Sequence, residues 1–150
     1  MQPGTPAHTA PRVIYTRMVA DLLHPGHIAF LKAARALGDR LHVYVLDEDF
    51  VSRIKAPPIM TQAERLAVVG ACRYVDEVHA TGPVHITRGF MHDSGYAIYA
   101  LGYANESEAA AKRMNCRDLP EHMVAVIPYT VGISSTILRN RLLARGIPSS

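Results

Sequence analysis

The feature that most constrains this chain is its alternation of strand-like and helix-like segments. Apolar, β-rich runs at Val13 to Val19, Leu41 to Leu46, Glu77 to Thr81, Ala97 to Leu101 and His122 to Ile127 are separated by stretches with helical spacing. Repetition of this kind fits a parallel sheet, because a crossover helix returns the chain to the edge it left and covers one face on the way. The expected fold class is α/β: a single Rossmann-like domain with a five-stranded parallel sheet flanked by helices. At 150 residues, 49% of them hydrophobic, the chain has material for one core and does not ask for a second. Residues 1–11, rich in Pro and Thr, read as a flexible lead-in, which leaves 12–150 as the domain.

Local signals refine this outline. Ile28, Leu31, Ala34 and Leu37 recur at helical spacing before Gly38, and Thr61-Gln62-Ala63-Glu64 is a capping box for a helix expected to run to about Arg73. Between them, Asp47 to Pro58 forms a polar connection that is long for its place. Asn105 to Asn115 reads as an ordinary solvated helix with no chemistry assigned to it. The last helix has Ser134 as its N-cap, with Gly146 and Pro148 to end it.

The chemistry concentrates at His24-Pro25-Gly26-His27, where the first strand hands over to the first helix. Pro25 suits a first helical turn, and Gly26 lets a ligand approach the backbone. A helix start offers unpaired N–H groups and the positive end of the helix dipole, so it is a place for phosphate. Two imidazoles added to it suggest stabilisation of charge during attack on one phosphate of a nucleoside triphosphate. The other histidines, His42 and His79 among them, read as packed or surface side chains. In an open α/β sheet ligands gather at the carboxyl ends of the strands where the strand order reverses, so the first and last helix starts are expected to face one crevice.

Bulk properties exclude other classes. A net charge of +3 spread along the chain favours small anions mildly and does not argue for nucleic acid. Cys72 and Cys116 stand apart, without zinc-ligand spacing, and read as reduced thiols. No apolar run reaches the ~18 residues of a membrane span, and no signal-peptide core is visible. A cytoplasmic protein without a membrane or nucleic-acid partner is expected, and no protein-held metal.

Asp21-Leu22-Leu23-His24-Pro25-Gly26-His27 resembles the D-L-L/F-H-x-G-H motif of the nucleotidyltransferase superfamily, within it the cytidylyltransferases that make CDP-alcohols. Gly132-Ile133-Ser134-Ser135-Thr136 resembles that family's G-I-S-T/S-T. Lys55 with Pro58 and Glu64-Arg65 is similar to its K-x-x-P-x-x-x-x-x-E-R segment, and Arg73-Tyr74-Val75-Asp76-Glu77-Val78 to its R-Y-V-D-E-V. The resemblance covers nearly the whole chain, and four motifs in order are more specific than HxGH alone. Three segments depart from it. Met18-Val19-Ala20 replaces G-T-F, Leu101-Gly102-Tyr103-Ala104 replaces H/M-G-D-D, and Tyr129-Thr130-Val131-Gly132 replaces R-T-E-G. The last pattern is similar to the branch that loads CMP onto small phosphonates.

The resemblance implies transfer of CMP from CTP to a small phosphonate or phosphoalcohol, with release of pyrophosphate by in-line attack on the α-phosphate. Its implied catalytic residues are His24 and His27, as hydrogen-bond donors to the α- and β-phosphates, and Lys55, closing from its loop. Nucleotide contacts are expected from Met18, Val19, Ala20, Gly26, Gly102, Tyr103, Ala104, Tyr129, Ser134, Ser135 and Thr136. Asp21, Arg65 and Arg73 are candidates for phosphate or acceptor; the two arginines, eight positions apart, are ~80° from one another on a helix and reach one side. Asp21 has a second reading, orienting a loop, and the arginines another, surface salt bridges. Mg²⁺ is implied, held mainly by the nucleotide phosphates, and so is a homodimer. The alternatives are an adenylyltransferase using ATP and a catalytically idle nucleotide-binding module.

Overall fold

The protein is seen here as a computed structural model that describes residues 9–146. Most of the expected lead-in, and Pro148 at the far end, lie outside the described residues. The chain forms strand β1 (Val13–Met18), helix α1 (Pro25–Arg35), β2 (Arg40–Val45), α2 (Glu48–Ser52), α3 (Gln62–Gly70) and β3 (Glu77–His79). After these come α4 (Arg88–Ser94), β4 (Tyr96–Tyr103), α5 (Glu106–Met114), a 3₁₀ turn (Glu121–Met123), β5 (Val124–Pro128) and α6 (Ser135–Ala144).

All strand pairs are parallel, and the sheet order is β3-β2-β1-β4-β5. The chain winds outward from β1 to one edge and then returns to the other side of β1. The reversal therefore lies between β1 and β4, whose carboxyl ends part to open a crevice. Two apolar layers sandwich the sheet. Ile14, Leu41, Val43 and Val45 pack with Phe30 and Leu31 of α1 and Val69 of α3, while Tyr15, Tyr44, Tyr99 and Leu101 pack with Met91 of α4. Period-2 alternation along the strands separates these sets. Inside the sheet, the buried Thr16 hydroxyl donates to the Ala100 carbonyl at 2.7 Å and ties β1 to β4.

Several boundaries differ from expectation. The connection after β2 is not a plain loop: Asp47 caps α2 by accepting from the Phe50 N–H at 2.7 Å. Helix α4, capped by Thr87, is an element that apolar spacing did not signal, and it ends at Gly95 in the left-handed region, φ 75°. Helix α3 stops at Gly70, short of Arg73. The chain then tightens so that the Asp76 carboxylate can bond the Leu41 N–H at 2.7 Å and the Arg35 guanidinium at 2.9 Å. Asp76 is thus a staple between α1, β2 and β3. β3 ends at His79, and the Ala80 carbonyl accepts from the Gln62 side chain.

Candidate functional site

Helix α1 begins with a capping box made of two histidines. The Gly26 N–H donates to His24 Nδ1 at 3.0 Å, and the His24 N–H donates to His27 Nδ1 at 3.1 Å. Each accepting Nδ1 carries no proton, so each neutral ring bears its proton on Nε2 and presents it as a donor. The rings lie against one another with centroids 3.9 Å apart. Burial lowers the His24 pKa. Burial, then the neighbouring His24 and Lys55, push His27 down to about 4. At neutral pH the site therefore offers two uncharged, oriented N–H donors.

Gly26 is required by this packing. A Cβ there would stand 2.8 Å from His24 Cε1 and 3.2 Å from Ile133 Cγ2. The second distance shows that the segment leading into α6 lies directly against the start of α1. Within the same junction, the Ser135 hydroxyl donates to the Asp21 carbonyl at 2.7 Å. Both helix starts thus meet at the carboxyl ends of the strands.

Asp21 holds the cleft together. Its carboxylate accepts from the Ile59 and Met60 N–H groups, both at 2.9 Å, and from Arg139 at 2.7 Å. Burial opposes the charged form, but these two backbone bonds and the Arg139 guanidinium outweigh it and hold the carboxyl below its usual range. With its side chain 5% exposed, Asp21 orients a loop and a helix and is not open to phosphate. The turn it occupies is tight, with Ala20 at φ 58° and Leu22 at φ 51°.

Arg65 corrects another expectation. Its side chain is fully buried; it donates to the carbonyls of Met60 at 3.1 Å, Val19 at 2.8 Å and Leu46 at 2.6 Å. It braces the backbone behind the cleft and does not grip a ligand. Arg73 lies beyond the end of α3, exposed, with its guanidinium over the Tyr74 ring. Asp76, three residues on, is bonded at the start of β2, so Arg73 belongs to the amino ends of the strands, away from the cleft.

The remaining residues divide. Lys55 follows α2, is exposed, and takes part in no ion pair among the described residues. Desolvation and the nearby Lys112 ammonium lower its pKa, with Glu108, Arg139 and Asp21 also in range. Lys112 and Arg139 disfavour its charge while Glu108 and Asp21 favour it, and desolvation decides the direction. Ser134 Oγ accepts from the Ile137 N–H at 3.1 Å as the cap of α6. Since the Ser135 hydroxyl already donates to Asp21, the donors left at this tip are the Ser134 and Thr136 hydroxyls and the first N–H groups of the helix.

Met18 and Val19 pack partly into the core, and Ala20 is 1% exposed within it. The Met18 carbonyl accepts from the Leu46 N–H and the Val19 carbonyl from Arg65. Gly102 is buried under Tyr129, whose ring a Cβ at 102 would strike, with Phe30 2.9 Å away. The Tyr129 N–H donates to the Tyr103 carbonyl at 3.1 Å, Tyr103 is half-buried, and Ala104 is exposed, its N–H bonded to Glu108.

Two residues of the site escaped the sequence reading. Lys112, on the helix given no chemistry, donates to the Gly102 carbonyl, to the Tyr129 hydroxyl at 2.8 Å and to Glu108 at 2.8 Å. Burial opposes its charge, but Tyr129 and Glu108 raise its pKa overall. Its signal was the i,i+4 pair with Glu108 on a helix that starts at the carboxyl end of β4. Arg139 was legible only as one turn beyond Ser135 on the same helix face.

The cytidylyltransferase-like family model matches residues 19–141. The chain is 32% identical over 141 residues to an ethanolamine-phosphate cytidylyltransferase of Arabidopsis thaliana, covering 87% of this chain and 32% of that protein. It is 37% identical over 145 residues to an FAD synthase of Methanoregula boonei, covering 92% of this chain and 95% of that protein. The chain spans about a third to two fifths of the length of the ethanolamine-phosphate relatives it matches. Among solved structures, the lipopolysaccharide core biosynthesis protein of Thermoplasma volcanium superposes with a TM-score of 0.62 at 25% identity, over 81% of this chain and 98% of that one.

Proposed function

This chain belongs to the cytidylyltransferase-like family, and from that premise we propose that it transfers CMP from CTP to a small phosphonate or phosphoalcohol and releases pyrophosphate. The observation that carries the reading is the two-histidine cap of α1, which leaves two neutral Nε2–H donors beside the start of α6. An acceptor oxygen attacks the α-phosphorus in line, the bond to the bridging oxygen breaks, and pyrophosphate leaves with the electron pair. No covalent enzyme intermediate is needed. Alignment and charge stabilisation supply the rate.

In this reading the donors of His24 and His27 hold α- and β-phosphate oxygens. Neutral donors suit the task because they stabilise growing negative charge without a proton first having to leave. The free N–H groups and hydroxyls at the tip of α6 hold the outer phosphates. Lys55 comes in from its loop toward the α-phosphate and the attacking oxygen, where an anion restores its ordinary basicity. Asp21 is already bonded three ways, so it is no ready ligand for Mg²⁺. Mg²⁺ would instead arrive bound to the nucleotide, held by its phosphates, and would neutralise pyrophosphate charge there.

The kinship to proteins called FAD synthase favours one second reading, adenylyl transfer from ATP. The test is pyrophosphate release with CTP or ATP against phosphonoformate, 2-aminoethylphosphonate, glycerol 3-phosphate and phosphoethanolamine. Turnover with CTP is expected, and His24→Ala and His27→Ala should each lower it by about 10²-fold or more. Turnover with ATP alone would move the assignment to adenylyl transfer. Binding without turnover on every acceptor would make the protein a nucleotide-binding module.

A further inference from the structure

A second cluster of ligating side chains lies outside the cleft, on the face of the sheet that carries Tyr15 and Tyr44. His42 of β2 pairs in register with Glu77 of β3, and Tyr44 with His79, so His42, Glu77 and His79 project to one side of two neighbouring strands. His42 Nδ1 and His79 Nε2 are 3.3 Å apart, and His79 Nε2 is 3.4 Å from a Glu77 oxygen. The Tyr96 hydroxyl reaches in from β4, 3.3 Å from His42 Nδ1 and 3.4 Å from His79 Nε2. One ligand atom from each of His42, Glu77 and His79 can be chosen so that all lie within 4.8 Å of one another.

Hydrogen bonding explains this arrangement poorly. Its spacings sit at the long limit for hydrogen bonds, and among the described residues the buried His42 Nε2 has no hydrogen-bond partner, only a misaligned Glu77 oxygen 3.4 Å away. A metal explains it better. Bonds of about 2.0 to 2.1 Å in a tetrahedron set neighbouring ligand atoms about 3.3 to 3.4 Å apart, the spacing of four of the pairs: His42 with His79, His79 with Glu77, and Tyr96 with each imidazole.

We propose that His42, His79 and Glu77, with the Tyr96 hydroxyl at the fourth corner, bind one first-row divalent transition ion of the Zn²⁺ type. Two imidazoles select such an ion over Mg²⁺, which takes oxygen ligands, so this site is separate from any ion carried by the nucleotide. Its role is to clamp β3, an edge strand of only 3 residues, to β2 and β4. The proposal stands independently of the nucleotide reading.

The test uses untagged full-length protein, stripped with a chelator and titrated with Co²⁺ and then Zn²⁺ in the absence of nucleotide. One equivalent of Co²⁺ should bind with the intense visible bands of tetrahedral coordination, Zn²⁺ should displace it, and Zn²⁺ should raise Tm. His79→Ala and Glu77→Gln alter half-exposed side chains and leave the interior intact; each should weaken binding tenfold or more. His24→Ala should leave the affinity unchanged. Absence of binding, a pale octahedral Co²⁺ spectrum, or wild-type affinity in His79→Ala would overturn the site.

Discussion

His27 shows how much one ring contributes when its two nitrogens have different tasks. Nδ1 must stay unprotonated to accept from the His24 N–H, while Nε2 must keep its proton to donate. In the folded protein its pKa is about 4, against ~6.5 for an unfolded histidine. Between those values the unfolded chain binds the extra proton and the folded chain does not, so stability rises with pH across that window. The contribution is complete above pH ~6.5 and is lost as pH falls toward 4, on the order of 3 kcal/mol in all. Urea unfolding from pH 4 to 7 should show this slope, and His27→Gln should reduce it to what His24 and His42 contribute, since burial lowers their pKa values too. Gly26 gives a second residue-scale test. An Ala there meets the His24 ring at 2.8 Å and must push it from its capping position. Gly26→Ala should therefore lower nucleotidyl transfer by about tenfold or more while costing less than ~2 kcal/mol of stability, because the displaced ring can turn toward solvent. Wild-type turnover in that variant would mean the ring position is not needed.

Among the elements, α3 carries the most informative reversal. By helical angle Arg65 was a reasonable ligand for an anion, yet its guanidinium ties the carbonyls of Met60, Val19 and Leu46, so α3, β1 and β2 share one brace. Arg65→Leu removes three charge-assisted bonds and leaves buried carbonyls unmet; a loss of about 3 kcal/mol or more is expected. The midpoint of chemical unfolding should fall with its slope unchanged, and nucleotide affinity should change little in what remains folded. The reason the sequence misled here is physical. Helical spacing tells which side a residue faces, but Val19 and Leu46 lie 46 and 19 positions away, and only the sheet order brings them there. The same holds for Asp21 and Arg139, 118 positions apart. What was legible was local: both cleft-lining helix starts, whose caps close over three residues, and the five strands with their strong apolar runs. Helices α2 and α4, of 5 and 7 residues, are too short to develop a period and were not seen.

For the whole molecule, the decisive property is that a cleft between two helix starts is sewn shut at its base by one carboxylate. Asp21 joins the turn after β1, the backbone at Ile59 and Met60 that follows the Lys55 loop, and α6 through Arg139. A ligand gripped from both helix starts stabilises the fold by mass action, about 2.7 kcal/mol at one hundred times its Kd, which for a chain of this size raises Tm by several degrees. Asp21→Asn keeps an acceptor for one N–H but loses the ion pair with Arg139. Free protein should melt lower, and the increment given by CTP with Mg²⁺ at fixed concentration should also shrink, since α6 and the Lys55 loop are no longer held opposite α1. The two effects separate the roles. A lower Tm with the full wild-type increment would mean that Asp21 only stabilises the fold, whereas loss of both would mean that the stitch is what keeps the two helix starts a triphosphate apart.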